Sequence, residues 1–523
     1  MSDVIVVGGG IAGLTASAYL ARSGYKPLLL EKEPQIGGLI GSFERDGFTY
    51  DWGIRATENS GTLFPMLKQL GIDLEFVKNT LSLGVEDKIL HIRSEESVRD
   101  YQELLNALYP EDMDDISNIV AQIEKTMDYM KVQYNIDNPT FLDTKEDFGY
   151  ILRSVLPWVF RYILTVPKIN KLNVPVIPYL ERFTRNRALI DVLTQHFFKD
   201  IPAYFALSYM KIYLDYYYPL GGTGALPRKL VSYILKHGGE IITNTRVNYI
   251  DPIGRYVTDA DGHKYEYDRL IWAADLNSLY NIIELNTIKD ESIRDAIISR
   301  KQELIGKLGN DSIFTLYLAV DLDPSYFSEK STEHFFYTPS RLGESSGGSI
   351  PYDADEAVIK EWLIRFAALT TYEISIPVLR DSKLAPPGKT GLIISVLFDY
   401  RLTKQIRDDG WYDEFVDFLG NQIINTLDKS IYRGLKNSII HRFSTSPLSI
   451  EERTGNTHGA ITGWAFTNNT MPAENRLPKI FNSIKTPIPG VLQAGQWTYS
   501  PSGLPISILT GKLAADRVIK ELK

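Results

Sequence analysis

The turn that follows Val7 constrains this chain more than any other feature. Val4-Ile5-Val6-Val7 is an unbroken β-branched run, as expected of a parallel strand buried on both faces, and it leads directly into Gly8-Gly9-Gly10-Ile11-Ala12-Gly13. The pattern predicts a helix from about Ile11 to Arg22, with Gly24 as its stop, and a second strand over Pro27-Leu28-Leu29-Leu30. Each glycine then has its own physical role. Gly8 allows the tight turn, Gly10 admits a pyrophosphate close to the backbone, and Gly13 lets helix and strand pack closely. The helix start supplies free N–H groups and the positive end of a dipole. Glu31 ends the second strand, where a carboxylate accepts both hydroxyls of an unphosphorylated adenosine ribose. A strand, glycine turn, helix, second strand and acid in register specify a dinucleotide fold far better than the glycines alone.

Composition narrows the rest. The chain has 523 residues, 44% of them hydrophobic and 23% charged, which suits about three globular units. The 56 Lys and Arg against 65 Asp and Glu give a net charge of −9, with no basic block to track a phosphate backbone, so nucleic acid is not an expected partner. There is no cysteine, which removes thiolate catalysis, disulfides and cysteine-ligated clusters, so any redox chemistry falls to a bound cofactor. The segment Met1 to Val7 reads as the first strand of a cytoplasmic protein rather than a secretory leader. The most apolar stretch, Gly149 to Pro167, carries Arg153 and Arg161, so nothing is expected to span a bilayer, and a segment lying on one stays open. The histidines (His91, His196, His237, His263, His334, His441 and His458) have no ligand spacing, and no metal site is expected. No second GxGxxG occurs, which argues against a dedicated NADPH domain. Electrons would then pass to or from oxygen, a quinone or a soluble partner protein, and the sequence assigns no oligomeric state.

Further segments carry a resemblance. Gly37-Gly38-Leu39-Ile40, just after Glu31-Lys32, resembles the second glycine motif of the large flavoprotein group that includes amine oxidases, protoporphyrinogen oxidase and carotenoid desaturases. Asp51-Trp52-Gly53-Ile54-Arg55 resembles that group's next segment, with Arg55 where many relatives carry His. Tyr218-Pro219-Leu220-Gly221-Gly222-Thr223-Gly224 is similar to its proline and double-glycine segment, and a helix to Lys236 follows. Ala494-Gly495-Gln496-Trp497 and Ser502-Gly503-Leu504-Pro505-Ile506 resemble its last flavin motif, although Gln496 stands where the family usually has Asp. The segment from Ser375-Ile376-Pro377 to Lys389 looks like the branch of carotenoid desaturases, carotenoid isomerases and retinol saturases.

The resemblance implies FAD as cofactor and an α/β fold with α+β insertions. This would be a Rossmann-type FAD-binding domain (residues 1–75, 219–275 and 485–523) with a discontinuous substrate domain (76–110 and 276–484) and a helical lid (111–218). It places Gly8, Gly10, Ile11, Ala12, Gly13, Glu31, Lys32, Gly37, Gly38, Leu39, Ile40, Gly53, Ile54, Arg55, Val247 (through its main chain at adenine), Ala274, Gly495, Gln496, Gly503, Leu504, Pro505 and Ile506 at the cofactor. Arg55, Trp497 and Tyr499 are the candidates for the reacting face of the ring, Arg55 to stabilise developing negative charge and the aromatics to wall the pocket. The implied chemistry is desaturation, saturation or isomerisation at carbon–carbon bonds of an apolar, isoprenoid-like substrate. Alternatives are an amine oxidase or protoporphyrinogen oxidase-like enzyme, and a non-catalytic flavin-binding lipid escort. In the lid, Leu152, Leu156, Trp158, Val159, Phe160, Tyr162, Ile163 and Leu164 alternate with Arg153 and Arg161, which suits either a core helix pair or a membrane-facing surface with a basic rim. Phe197, Phe198, Tyr204, Phe205, Tyr209, Tyr213 and Tyr216 to Tyr218 suit an apolar tunnel or ordinary packing.

Overall fold

Strand Val4–Val7 is fully buried and central in a five-stranded sheet, a position that explains why it tolerates no polar residue. The computed structural model describes residues 4–134, 136–143 and 145–523; Met1, Ser2 and Asp3, read above with the first strand, lie outside the described residues. The sheet runs Glu240–Ile242, Leu28–Leu30, Val4–Val7, Arg269–Trp272 and Val491–Gln493, every neighbouring pair parallel. Segments more than 480 residues apart in sequence thus share one ladder. Helix Ile11–Arg22 covers one face, buried at all but its last residue, and helix Leu504–Leu522 packs along it so closely that a Cβ on Gly511 would stand 2.4 Å from the carbonyl oxygen of Ala12. The pattern-based helix limits agree at Ile11–Arg22, and a tight turn with Gly262 at φ 87° joins Tyr256–Asp259 to Lys264–Glu266.

A second, seven-stranded sheet lies beside it, in the order Ile439–Thr445, Ser312–Val320, Thr390–Phe398, Tyr372–Ser375, His334–Thr338, Leu81–Val85 and Lys88–Ile92. The pairing is antiparallel except between His334–Thr338 and Leu81–Val85. All nine residues of Ser312–Val320 are buried, as in a strand covered on both faces, and each buried leucine or isoleucine there contributes roughly 1.5–3 kcal/mol. Helices Met113–Tyr134 and Arg187–Thr194 belong to a mainly helical layer whose inner residues pack with Leu81, Leu83 and Leu90 of this sheet's edge, and Leu156–Asn170 packs on Met130 and Val132 of the first of them.

The helix Leu156–Asn170 divides its apolar residues between the two readings: Trp158, Tyr162 and Ile169 pack on Met130 and Val132 of helix Met113–Tyr134, and others face outward. Phe160, Ile163 and Leu164 are 67%, 61% and 70% exposed, while Trp158 and Tyr162 face inward and the Trp158 indole donates to the carbonyl of Val132 at 2.6 Å. Among the described residues, no helix is long and apolar enough to cross a membrane.

Candidate active site

Two glycine turns grip each other at the mouth of the parallel sheet. Gly8 donates to Leu30 O at 2.9 Å, Gly37 donates to Gly9 O at 2.9 Å, and a Cβ on Gly13 would fall 1.9 Å from Gly8 O, so the close helix-strand packing expected of Gly13 is present. Gly10 differs: a Cβ there would meet nothing within 4 Å, because that side faces a cleft. No side chain caps the helix that starts at Ile11, nor the one that starts at Leu504, and both starts open onto the same cleft. Glu31 stands on its rim with one carboxylate oxygen accepting from Gly9 N at 2.5 Å and the other from Glu33 N at 2.9 Å, leaving lone pairs for a sugar.

The cleft, of about 180 Å³, is lined by Gly8, Gly10, Ile11, Ala12, Glu31, Gly37, Gly38, Leu39, Ile40, Ile54, Ala274, Gly495, Gln496, Trp497, Gly503 and Leu504. Several expected residues contribute no side chain to it. Lys32 turns to Glu452 O (2.8 Å) and Glu33 (3.1 Å), and Val247, expected there only through its main chain, buries its side chain among Ile5, Val7 and Leu30. Gly53 abuts the carbonyl of Leu39 with no space for a Cβ, and Pro505 and Ile506 face a different cavity. Asp275 caps helix Leu276–Asn281 and holds Thr457, a structural role.

Arg453 is a cleft residue that the sequence did not announce. Its guanidinium lies 3.4 Å from the centroid of the Trp52 ring and donates to Gly38 O at 3.3 Å. Burial pushes its pKa down to about 10 against the opposing pull of Tyr317, Glu33 and Glu31, so it remains a cation beside the glycine turns. It sits 415 residues from Gly38 in the chain, which is why no local motif reveals it.

Past Leu39, Ile54, Ile461 and Thr462 the cleft gives way to an inner chamber of about 220 Å³, walled by Phe198, Tyr209, Tyr216 and Phe336. Arg55 belongs to this chamber, only 2% exposed. It donates to Asp51 O and to Ser395 Oγ, both at 2.7 Å, and its Nε has no partner among the described residues. Asp51 is fully buried and accepts from Ser42, Tyr218 and Thr223 at 2.6 to 2.9 Å, tying two of the resembling segments together. Trp497 and Tyr499 do not join Arg55. Trp497 packs edge-on against Trp464 with centroids 4.8 Å apart, and Tyr499 faces an outer apolar cavity of about 440 Å³ with Trp158, Tyr162 and Tyr204. The aromatic run thus divides: Phe198, Tyr209 and Tyr216 serve the chamber, Tyr204 and Phe205 the outer cavity, and Tyr213 the packing between helices.

The chamber also holds Glu373, on strand Tyr372–Ser375, and two histidines. His334 Nε2 lies 2.9 Å from Glu373 Oε1. Burial raises the cost of the Glu373 charge, but the hydrogen bond from His334 and the positive charges of Arg55 and Arg380 more than offset it and hold the carboxyl below its usual range. Burial drives His196 down to about 4, so it is neutral near pH 7. At the outer cavity, burial pushes Glu58 up to about 7, against the hydrogen bond from Ser60. Between its ordinary 4.5 and 7 the folded form holds the proton that the unfolded chain releases, so this group's contribution falls as pH rises through that window, by about 3 kcal/mol. Chemical denaturation of Glu58→Gln against the parent should therefore show a stability difference that grows in the variant's favour from pH 4.5 to 7.5; a constant difference would place Glu58 in solvent.

Asp259, Asp261 and His263 bring ligand atoms within 4.8 Å of one another at the hairpin turn. Asp259 there already accepts from the Asp261 and His263 N–H groups and the Tyr265 hydroxyl, so the turn's own bonds account for the grouping.

A dinucleotide cleft with two uncapped helix starts, opening on an inner chamber, defines a flavin-dependent oxidoreductase. The cradle fits FAD: the open face of Gly10, the free helix N–H groups and Arg453 suit a diphosphate, and Glu31 a ribose. The chain belongs to the family of flavin containing amine oxidoreductases, whose model matches residues 11–519, and FAD is its cofactor. It is 28% identical to the inactive all-trans-retinol 13,14-reductase of Danio rerio over 47% of this chain and 42% of that protein. It is 23% identical to the chloroplastic prolycopene isomerase of Daucus carota, over 99% of this chain and 80% of that protein. Identity to the lycopene-forming phytoene desaturase of Pantoea ananas is 21%, over the whole of both. The fold matches cyclohexylamine oxidase from Brevibacterium oxydans with a TM-score of 0.60 at 11% identity, covering 100% of this chain and 99% of that one.

Proposed function

We propose that this enzyme exchanges electrons with carbon–carbon bonds of an elongated, apolar, isoprenoid-like substrate, by desaturation, saturation or isomerisation. The observation that carries the reading is the apolar enclosure: an aromatic-walled chamber at the end of the cofactor cleft, and a larger outer cavity meeting the same cleft at Gly503. The activities for which the retinol, prolycopene and phytoene relatives are named support it. FAD, when bound, supplies two-electron hydride acceptance or return. The chain's own part is to exclude water with Phe198, Tyr209, Tyr216 and Phe336, and to set the Arg55 cation where negative charge develops.

The exposed face of Phe160, Ile163 and Leu164, with Arg153, Arg161 and Lys168 nearby, suits a membrane surface from which such a substrate is drawn. Carotenoid and retinoid mixed anaerobically with oxidised and with dithionite-reduced enzyme should change the flavin absorbance, whereas primary amines and protoporphyrinogen should not. Phe160→Ser with Leu164→Ser should slow the reaction about tenfold for substrate in vesicles and leave it unchanged in detergent micelles. Bleaching by an amine alone would replace this reading with an amine oxidase, which the carboxylate of Glu373 in the chamber favours. Silence from every compound would leave the escort.

A further inference from the structure

Around Glu373 a chain of buried bonds fixes the protonation of each member. Arg380 Nε donates to Asn79 Oδ1 at 2.7 Å, which orients the amide so that its Nδ2 faces His334 Nδ1 at 3.3 Å. An amide nitrogen can only donate, so Nδ1 accepts and the imidazole proton sits on Nε2. That proton points at Glu373 Oε1, 2.9 Å away, and makes the carboxylate the acceptor. Arg380 is itself held by Ser375 Oγ at 2.9 Å and the Tyr218 ring at 4.5 Å. The string uses little of the carboxylate: 30% of the Glu373 side chain is accessible, and it opens into the chamber, while His334 is 2% exposed. A carboxylate held ionised by Arg55 and Arg380, with lone pairs still facing the chamber, is placed for a chemical role there.

We infer that Glu373 is the chamber's proton acceptor and donor, with His334 and Asn79 as positioning residues. The inference rests on the proposed carbon–carbon chemistry and names the group that completes it. When hydride leaves one substrate carbon with its electron pair, the C–H bond of the neighbouring carbon breaks, its electrons close the new C=C bond, and its proton passes to a Glu373 oxygen. In saturation the same proton returns from the carboxyl to carbon. The oxidising or reducing equivalents are those of the flavin oxidoreductase itself.

Glu373→Gln keeps an oxygen to accept from His334 Nε2, so the fold and FAD content should survive, and Glu373→Asp tests whether a shortened carboxylate rescues. With whichever polyene reacts in the parent enzyme, Glu373→Gln should slow flavin reduction or reoxidation at least 100-fold and abolish deuterium incorporation from D2O, with partial recovery in Glu373→Asp. An equal rate and equal deuterium uptake in Glu373→Gln would overturn the inference. A second readout needs no turnover: N,N-dimethylgeranylamine, protonated at pH 8, mimics cationic character on the prenyl chain. Its binding, followed by calorimetry on the FAD-loaded enzyme, should weaken at least tenfold in Glu373→Gln. Unchanged affinity would overturn the inference, whereas polyenes failing on the parent with the amine effect intact would overturn only the substrate reading.

Discussion

Gly10→Val will yield a folded protein that no longer retains FAD. Gly10 is extended backbone, φ −70° and ψ 175°, which a β-branched residue adopts without strain, and a Cβ added there would meet no protein atom within 4 Å. The added methyl groups therefore occupy only the cleft, directly over the uncapped start of helix Ile11–Arg22. We expect FAD affinity to fall at least 100-fold, about 2.7 kcal/mol, in equilibrium titration, with the melting temperature of the cofactor-free protein within about 2 °C of the parent. Gly13→Ala should do the opposite: its Cβ would lie 1.9 Å from Gly8 O, a backbone atom that cannot step aside, so the cofactor-free protein itself is destabilised. Parent-like FAD affinity in Gly10→Val would mean that the diphosphate lies elsewhere.

Arg55→Met should separate catalysis from cofactor retention. Methionine fills most of the arginine's volume, so what is lost is the cation and its bonds to Asp51 O and Ser395 Oγ. Ser395 Oγ keeps its bond to the Thr315 hydroxyl, but leaving the buried Asp51 carbonyl without this donor costs about 1–3 kcal/mol of stability, visible in urea denaturation. The reacting end of the chamber loses its positive charge, and Glu373 loses one of the cations that hold it ionised. Flavin reduction should slow at least 100-fold while FAD content, read from absorbance, stays within twofold. A proportional loss of both would make Arg55 a cofactor anchor.

The cofactor half of the molecule was legible because its signals are local. A β-branched run, three glycines and an acid at a fixed spacing each answer to a nearby backbone requirement, and Gly8, Gly13 and Glu31 meet it within about 30 residues. The chamber is a product of register between distant strands. His334 pairs opposite Ser375 and Phe336 opposite Glu373, so the contact between His334 and Glu373 is a diagonal across two strands. The only local trace is a polar residue within each of the apolar strings HFFYT and YEIS. Trp497 and Tyr499 show the converse. Spaced by two, they suggest one side of a strand, but the strand ends at Gln493 and the turn that follows sends the two rings to separate cavities. In the lid, periodicity located the helix but not its apolar face, since an exposed stripe and a buried one have the same spacing.

The parallel sheet has a consequence for how the molecule is made. Strand Val4–Val7 and helix Ile11–Arg22 leave the ribosome well before their cover, since the strand Val491–Gln493 and the helix Leu504–Leu522 that seal them come almost five hundred residues later. At about 5–20 residues per second, this hydrophobic strand-and-helix unit waits roughly 25 to 100 seconds for its cover. During that interval it is a natural client for chaperones, and a frameshift or stop codon anywhere upstream of Val491 leaves a sticky, colourless fragment rather than a weakened enzyme.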